Sequence, residues 1–556
     1  MKKILFIIPP WRTCNKLTHK LYPFPLGSIY LGTMLKEKGY VVTIKDFLVP
    51  AQYHKAEPPK IFGGKSAPPY QHWGQPMSEC IEWLSENIDD FDCVCLCMGQ
   101  CNLFETSEIL GRYISIRKPL VIGGAFVTTH VHEALKRTKA HIAVVGEGEL
   151  VIEHAVLSAI NMFNKGFEGT VLYGEKVKDL DTLPLPDYSL VNLEDYPKYN
   201  NKTRAAISLT RGCPHSCEFC SVRKIFGKRW IRKSKERIKA EILNLWNRGV
   251  KYFIFVDDNL FFTEEMVNDI TDVISELKNE IPKFKTCKFY QEEGVEVRIA
   301  SNFELLKKIY DAGFENITIG LESVNEYVRK DIRKPYSKQQ MEQTICNMEK
   351  LGKYLRAYYI IGFPDETFEQ IVFNTLTIMD MGIGTRCQNL QLYPDQKMLN
   401  EFHDRGFIDK NNWDWRLSSW YTPDTDNITF KELKMLRGYI NDIGKCVEVL
   451  NLRPLSDSKE VIEKKFADKK RLIEFKEGHI RYHGNMYNIS FIKNLMRFLI
   501  IKDGYKGAKI NVSYDTKEII GTGVNRSQNK LQEVLFKILN PDIKDMESVD
   551  YFFGGE

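Results

Sequence analysis

The chain has 556 residues, 43% hydrophobic and 27% charged, with 78 lysines and arginines against 73 acids and a formal net charge of +5. This is the composition of a folded protein, and the length exceeds one ordinary core, so two to four domains are expected. The charge excess is too small to argue for nucleic acid or a membrane as partner, and thirteen cysteines without an extracellular signal point to metal chemistry in a reducing, cytoplasmic setting rather than to disulfides.

The opening MKKILFIIPP ends its short apolar run in Pro9-Pro10 with no small-residue cleavage site, so it reads as a buried first strand rather than a signal peptide. Across 1–165 strand and helix patterns alternate. KKILFII, YVVTIKDF, DCVCLCMGQ, PLVIGGA and HIAVVGEGE are strands, and LGSIYLGTMLKEKG and TSEILGRYISI have helical spacing. The pattern predicts a doubly wound, Rossmann-like parallel sheet, which takes ligands beyond the carboxyl ends of its strands. Gly99, Gly123, Gly124, Gly146 and Gly148 fall at those ends, while no GxGxxG follows the first strand as a plain nucleotide fold requires. Cys93, Cys95 and Cys97 alternate with apolar residues along one strand, a core pattern rather than a chelate, and Cys101 follows them.

Residues 166–200 are rich in Pro, Asp and Tyr and read as a linker. From 201 to 400 a second alternating unit follows, with candidate strands AAISLTR, YFIFVDD, VEVRIA, NITIGLE, RAYYIIGF and QNLQLYP. Repeated strand–helix units of this length predict a full or partial (β/α) barrel, with function at the strand carboxyl ends. Residues 401–556 carry one well-marked amphipathic helix, FKELKMLRGYINDIGKCVEVL, in a mostly helical region that serves as a substrate-binding part or as a cover.

Directly after AAISLT stands TRGCPHSCEFCSVRKIFGKRW, in which Cys213, Cys217 and Cys220 form C-x3-C-x2-C. Three adjacent thiolates suit a [4Fe–4S] cluster with one iron left open, whereas structural zinc normally takes four ligands. A Cys3His zinc site completed by His215 is the competing arrangement, but no second ligand pair accompanies it. The basic run from Arg223 to Lys239 reads as a solvated helix face rather than a nucleic-acid patch.

The cysteine spacing, with an aromatic Phe219 before the last cysteine, resembles the radical S-adenosylmethionine (SAM) superfamily. The flanks TRGCP, FVDDN, ITIGLES and YYIIGFPDET, together with VIGGAFVTTH and VVGEGEL, resemble the subfamily that carries an N-terminal cobalamin-binding domain. That subfamily includes methyltransferases and the anaerobic magnesium-protoporphyrin oxidative cyclase, and the resemblance spans roughly residues 1–400. It implies that the open iron chelates SAM, which is cleaved to a 5′-deoxyadenosyl radical, while the protein aligns the cofactors and excludes water. By the same resemblance Phe219 lies near the adenine. Asp257, Asp258 and Asn259 accept from the SAM amino group or ribose, and Gly320, Glu322 and Ser323 border the ribose. The bland alternative for the acids is helix capping.

In the N-terminal unit the resemblance implies cobalamin contacts at Gly99, Gly123, Gly124, Gly146 and Glu147, with Thr128 and Thr129 toward the nucleotide tail. The Asp-x-His-x-x-Gly signature that supplies a histidine to cobalt elsewhere is absent, so the lower cobalt ligand is open and a domain that has lost its ligand is the alternative. The function expected is methyl transfer to an unactivated carbon, or a phosphinate phosphorus, using methylcobalamin and the 5′-deoxyadenosyl radical. The substrate is a small molecule or natural product, and the electron comes from an external flavodoxin- or ferredoxin-type reductant. Oxidative cyclisation or rearrangement without methyl transfer, and a non-catalytic corrinoid or cluster sensor, are the alternatives.

Overall fold

A computed structural model of the chain describes residues 1–13, 24–49, 53–56, 70–99, 104–167, 169–323, 326–394, 396–411, 413, 421–450, and short pieces beyond 450. Those pieces are 453, 456–457, 461, 474–476, 479–482, 485–488, 531 and 534–535. Cys101 lies outside the described residues.

The first unit is a six-stranded sheet in the spatial order Val41–Asp46, Lys3–Ile8, Cys93–Cys97, Leu120–Gly123, Ile142–Val145, Thr170–Tyr173. Every neighbouring pair is parallel. Alternating side chains divide it into two cores. Leu5, Ile7, Val94 and Leu96 pack under the helices Met77–Asn87, Phe104–Ser115 and Val131–Thr138. Ile4, Phe6, Cys93 and Cys95 pack under Leu26–Glu37 and Ile152–Lys165. Continuous apolar runs are what a sheet covered on both faces demands, each buried Leu, Ile or Phe being worth about 1.5–3 kcal/mol. The strand order reverses between Lys3–Ile8 and Cys93–Cys97, and doubly wound sheets hold ligands beyond the carboxyl ends at that point. Thr170–Tyr173 lies in the stretch read as linker. Only four residues long and at the sheet edge, it gives too short a pattern to read.

The second unit is a partial barrel of two three-stranded parallel sheets, Arg204–Ile207, Tyr252–Phe255, Lys288–Gln291 and Thr318–Glu322, Leu355–Ile361, Ile383–Asn389. Isolated parallel bridges Phe289↔Phe314 and Val295↔Ile319 join them. Capping boxes open two of its helices, Ser337 with Gln340 and Thr367 with Gln370. Two strand expectations need correction. VEVRIA is not a strand: Gly294 takes φ +91° and Val297–Ala300 turns helical, so the barrel uses Lys288–Gln291 instead. The last strand is Ile383–Asn389, displaced toward the N-terminus of the QNLQLYP run.

Phe430–Leu450 is a helix, as its periodicity predicts, and packs on the last barrel strand. Its Glu448, buried at the foot of the barrel, takes Arg386 at 2.6 Å and Arg356 at 3.1 Å. Beyond it Glu474–Lys476, His479–Tyr482 and Asn485–Asn488 form a three-stranded antiparallel sheet that the helical expectation for this region did not include. Among the described residues no helix is long and apolar enough to cross a membrane.

The two units share a core, since Leu26, Ile29 and Tyr30 of the first helix pack with the barrel's Ile238, Ile242 and Phe253. A buried polar knot joins them too. The Tyr30 hydroxyl donates to Glu241 at 2.9 Å, and the Lys233 ammonium donates to Tyr30 at 2.7 Å, to Glu241 at 2.6 Å and to the Ser208 carbonyl at 2.7 Å. The connecting segment is tied back by Tyr196, whose hydroxyl donates to Asp46 at 2.9 Å. Asp46 also accepts from the Leu48 N–H, yet burial pushes its carboxyl up to about 7.

That raised value has a pH signature. Asp46 favours the folded state fully only below its unfolded value near 4, and the contribution is lost as pH rises to about 7. Asp46→Asn stays neutral and keeps an acceptor for Leu48. Its stability relative to the parent should rise between pH 4.5 and 8 by an amount on the order of 4 kcal/mol. Urea midpoints of both proteins at the two pH values check this, and an unchanged difference refutes it.

Candidate functional site

The segment 212–230 leaves and returns to the barrel through a narrow neck, because Thr210–Arg211 pairs antiparallel with Ile231–Arg232. The three cysteines lie on this loop, where Cys217 senses the charge of Cys213, and Cys220 that of both. Burial pushes Cys217 to about 11 and Cys220 to about 12, and raises Cys213 as well. As free thiols they hold their protons at neutral pH, and a metal must displace those protons to bind. His215 does not join them. Its Nε2 lies 2.5 Å from Glu296.

The strand end Asp257-Asp258-Asn259 grips the stem of this loop at successive positions. Asp257 Oδ1 accepts from the N–H of Leu209 at 2.7 Å, the N–H of Thr210 at 2.5 Å and the Thr210 hydroxyl at 2.9 Å. Asp258 accepts from the Gly212 N–H. The Asn259 amide donates to Cys213 Sγ at 3.5 Å and to Glu296 at 2.6 Å. The hydrogen-bonding capacity expected to meet SAM is therefore largely spent on the loop. One atom is left over: Asp257 Oδ2 is buried with no partner among the described residues. Burial raises the Asp257 carboxyl to about 6, and burial with the nearby Glu293 and Asp257 charges raises Asp258 to about 7. An orphaned acceptor in such a place is matched by a donor on a bound molecule.

Across the barrel mouth, Glu322 sits in a bulge at φ +59° and pairs with Lys334 at 3.0 Å. Gly320 makes room for that lysine, since a Cβ there would lie 2.5 Å from its Nζ. The ammonium also senses the Cys217 and Cys220 thiols, so Lys334 belongs to the site although no motif singled it out. Ser323 is buried, and its carbonyl accepts from the Tyr336 hydroxyl at 2.8 Å. Phe219 packs on the apolar cluster of Ile332, Phe363 and Leu390 beside the last barrel strands.

On the other side of the neck lies a cavity of about 400 Å³. Its first wall is the carboxyl edge of the six-stranded sheet: Cys97, Gly123, Gly124, Thr128, Gly146 and Glu147. Its second is the barrel: Ser208, Thr210, Arg211, Asp257 and Asp258, with Ile225 and Phe226 from the cluster loop. Gly124, at φ +113°, lies so close to Met98 that a Cβ would stand 2.8 Å from its carbonyl oxygen. Gly123 has no such neighbour and faces open space. Thr128 holds the rim by donating to the Gly124 carbonyl and accepting from the Gly146 N–H, both at 3.0 Å. Thr129 bonds inside its own helix and to His130, and neither it nor Gly99 lines the cavity.

Glu147 lines the cavity with most of its hydrogen-bonding capacity already used by the chain. Its carboxylate takes Arg211 at 2.7 Å, Arg229, and the Val177 N–H at 3.0 Å, leaving it little capacity for a ligand. Arg211 stands in the TRGCP motif, but nothing near Glu147 in the sequence pairs the two.

The model of the radical SAM superfamily matches residues 207–373, from the end of the first barrel strand through the cysteine loop and the fifth strand. An uncharacterized methyltransferase of Pyrococcus horikoshii is 25% identical over 400 residues, covering 66% of this chain and 76% of that protein. The anaerobic magnesium-protoporphyrin IX monomethyl ester cyclase of Synechocystis is 26% identical over 60% of this chain and 63% of its own length. Among solved structures, the cobalamin-dependent radical enzyme OxsB with aqua-cobalamin and SAM bound aligns over 97% of this chain and 84% of its own, with a TM-score of 0.58 at 13% identity. Its fold is therefore shared by the described residues, the N-terminal sheet included. The neck, the cysteine loop and the barrel that bears it carry a radical SAM domain over residues 207–373, and the chain is an enzyme.

Proposed function

We propose that this protein is a cobalamin-dependent radical SAM methyltransferase acting on an unactivated carbon of a small molecule. The observation that carries the reading is the shared cavity, in which the glycine edge of the N-terminal sheet faces the stem of the cysteine loop with no element between them. Residues 1–165, with the added Thr170–Tyr173 strand, hold the corrinoid, 201–400 hold the cluster and SAM, and the region from 401 covers the barrel or contributes to the substrate site.

The residues present fit these groups. Three cysteines on one loop closed by a narrow neck have the donor set for a cluster that leaves one iron open. Backbone at Gly123, Gly124 and Gly146, without side chains, admits a broad planar ligand. When bound, the cluster supplies the electron that cleaves SAM and the corrinoid supplies a methyl carrier. The chain's own part is to hold and to exclude. Asp257 Oδ2 is free to accept from SAM, Lys334 brings positive charge to the cysteines, and Ile225 and Phe226 dry the cavity wall, which strengthens each polar contact inside it. An external one-electron donor of flavodoxin or ferredoxin type and a cytoplasmic site of action complete the reading. The cyclase relative favours one second reading, oxidative ring closure on the same scaffold.

Protein purified without oxygen should be brown with about four irons per chain, and changing Cys213, Cys217 and Cys220 together to Ala should abolish both the colour and SAM cleavage. One zinc and no iron in the parent protein overturns the assignment.

Hydroxocobalamin should stay bound through desalting at near one-to-one stoichiometry. The apt probe of the cavity is Gly123→Leu, because a side chain there enters open space, whereas one at Gly124 strikes the Met98 backbone. That variant should keep its iron and lose the corrinoid, and equal retention by both proteins contradicts the placement.

With methyl-labelled SAM and cell extract, labelled product should accumulate with S-adenosylhomocysteine and 5′-deoxyadenosine about one to one, once uncoupled cleavage is subtracted. Product with 5′-deoxyadenosine but without S-adenosylhomocysteine rejects methyl transfer and selects ring closure.

A further inference from the structure

The loop Gly146-Glu147-Gly148-Glu149 after the Ile142–Val145 strand does more than line the cavity. Arg211 and Arg229 stand on the two arms of the cysteine-loop neck, each close to the Thr210–Arg211 and Ile231–Arg232 pairing. One carboxylate, Glu147, takes both arginines, and Arg211 forks to Glu149 at 2.6 Å. Arg229 is held in turn by the Val177 carbonyl at 2.5 Å. The Glu147 side chain is 3% exposed and the arginines 16% and 18%, so these are shielded, charge-assisted pairs rather than surface ones.

The grip has little slack. A Cβ on Gly174 would lie 1.8 Å from the Glu147 carbonyl oxygen, so the edge strand presses directly on the loop. Gly212, at φ +83°, packs so tightly that a Cβ would stand 2.4 Å from the Arg229 carbonyl oxygen. The opposite side of the neck is held as well, since the Lys233 N–H donates to the Leu209 carbonyl at 2.9 Å and its ammonium enters the Tyr30–Glu241 knot. The N-terminal unit thus holds the neck from both flanks, two residues from Cys213.

We propose that Glu147, seconded by Glu149, is a positioning residue that clamps both arms of the neck through Arg211 and Arg229 and so sets how far the three cysteines stand from the N-terminal cavity. The clamp itself rests only on these contacts. Its consequence for chemistry rests on the functional reading above, in which a corrinoid fills the cavity. A radical and a methyl donor that share one substrate must be held within a fraction of an ångström of their working geometry. A clamp at the neck does this without touching either group.

The experiment compares parent, Glu147→Gln, Glu149→Gln and Arg211→Lys, each loaded with cluster and hydroxocobalamin. All should keep iron and corrinoid. In Glu147→Gln, hydrogen exchange at 145–149, 209–213 and 229–233 should accelerate together, by about tenfold, because Arg229 loses the carboxylate that holds it and Arg211 keeps that of Glu149 alone. Pulsed EPR of cob(II)alamin should show relaxation by the reduced cluster that is weaker and more widely distributed than in the parent. Glu149→Gln, which leaves Glu147 on both arms, and Arg211→Lys, which leaves the Arg229 arm, should fall between. A Glu147→Gln variant that keeps its iron and shows parental exchange on both arms overturns the clamp. Accelerated exchange with unaltered relaxation reduces it to a structural tie and overturns the positioning role. If the parent holds no corrinoid, the functional reading fails by itself, and the exchange arm still decides the clamp.

Discussion

A loop of nineteen residues that must present three thiols to one metal group has little internal means of keeping its shape, and the cost of ordering such a segment runs to about 1–2 kcal/mol per residue. The carboxylate of Asp257 meets that constraint first. By accepting from two successive backbone N–H groups and a hydroxyl, its Oδ1 fixes the point where the barrel strand becomes the loop. Asp258 and Asn259 continue the grip at Gly212 and Cys213, and Glu296 links Asn259 to His215 inside the loop. Consecutive residues after a strand end can do this because the chain there runs alongside the neck, presenting one side chain per position. Everything downstream depends on this register, including the meeting of the thiols and the alignment of the neck with the N-terminal sheet.

The electrostatics of the barrel mouth follow from the same crowding. Asp257, Asp258, Glu292 and Glu293 gather at adjacent strand ends, and burial lifts their carboxyls, Glu292 to about 8, with Glu293 adding at Glu292 and Asp258, and Glu322 adding at Glu293. Only part of this charge is balanced in the chain, by Arg204 toward Glu292 and by Lys233 toward Asp257. Lys334 lies on the far side, paired with Glu322 and facing the cysteines. The mouth is therefore acidic toward the first barrel strands and cationic near the thiols, a polarity suited to a molecule with a positive centre and a carboxylate, as SAM has.

Much of this was legible in the sequence where local pattern and tertiary use coincide. The buried strands of the first sheet are continuous apolar runs, and the helix over Phe430–Leu450 is amphipathic in the chain as in the fold. The cysteine spacing is local by nature, so its three residues were readable directly. What escaped depends on distant partners. Ile383–Asn389 looks a poor strand because it contains Gly384 and Arg386, yet Arg386 is matched by Glu448 from a helix more than sixty residues on. Gly384 is needed there as well, for a Cβ would come within 2.5 Å of the same Glu448 side chain. VEVRIA alternates like a strand, but the left-handed Gly294 before it turns the chain, and only Val295 keeps a strand-like bridge.

The site residues divide along the same line. Residue type pointed correctly to strand ends and to the cavity edge, since Gly123, Gly124, Thr128 and Gly146 line it, but type alone does not say which hydrogen bonds a side chain has already made. Asp257, Asp258, Asn259 and Glu147 carry the donors and acceptors of ligand contacts, and the structure uses most of that capacity to hold the neck. This follows from where the neck lies. A loop wedged between two units leaves polar atoms on three surfaces, and buried polar atoms must be paired. The acids nearest the loop are therefore taken first by the chain itself, and a ligand meets what remains: the orphan Oδ2 of Asp257, the bare backbone at Gly123, and the cationic flank of Lys334. Holding the loop and binding the ligand are thus done by different atoms of the same few residues.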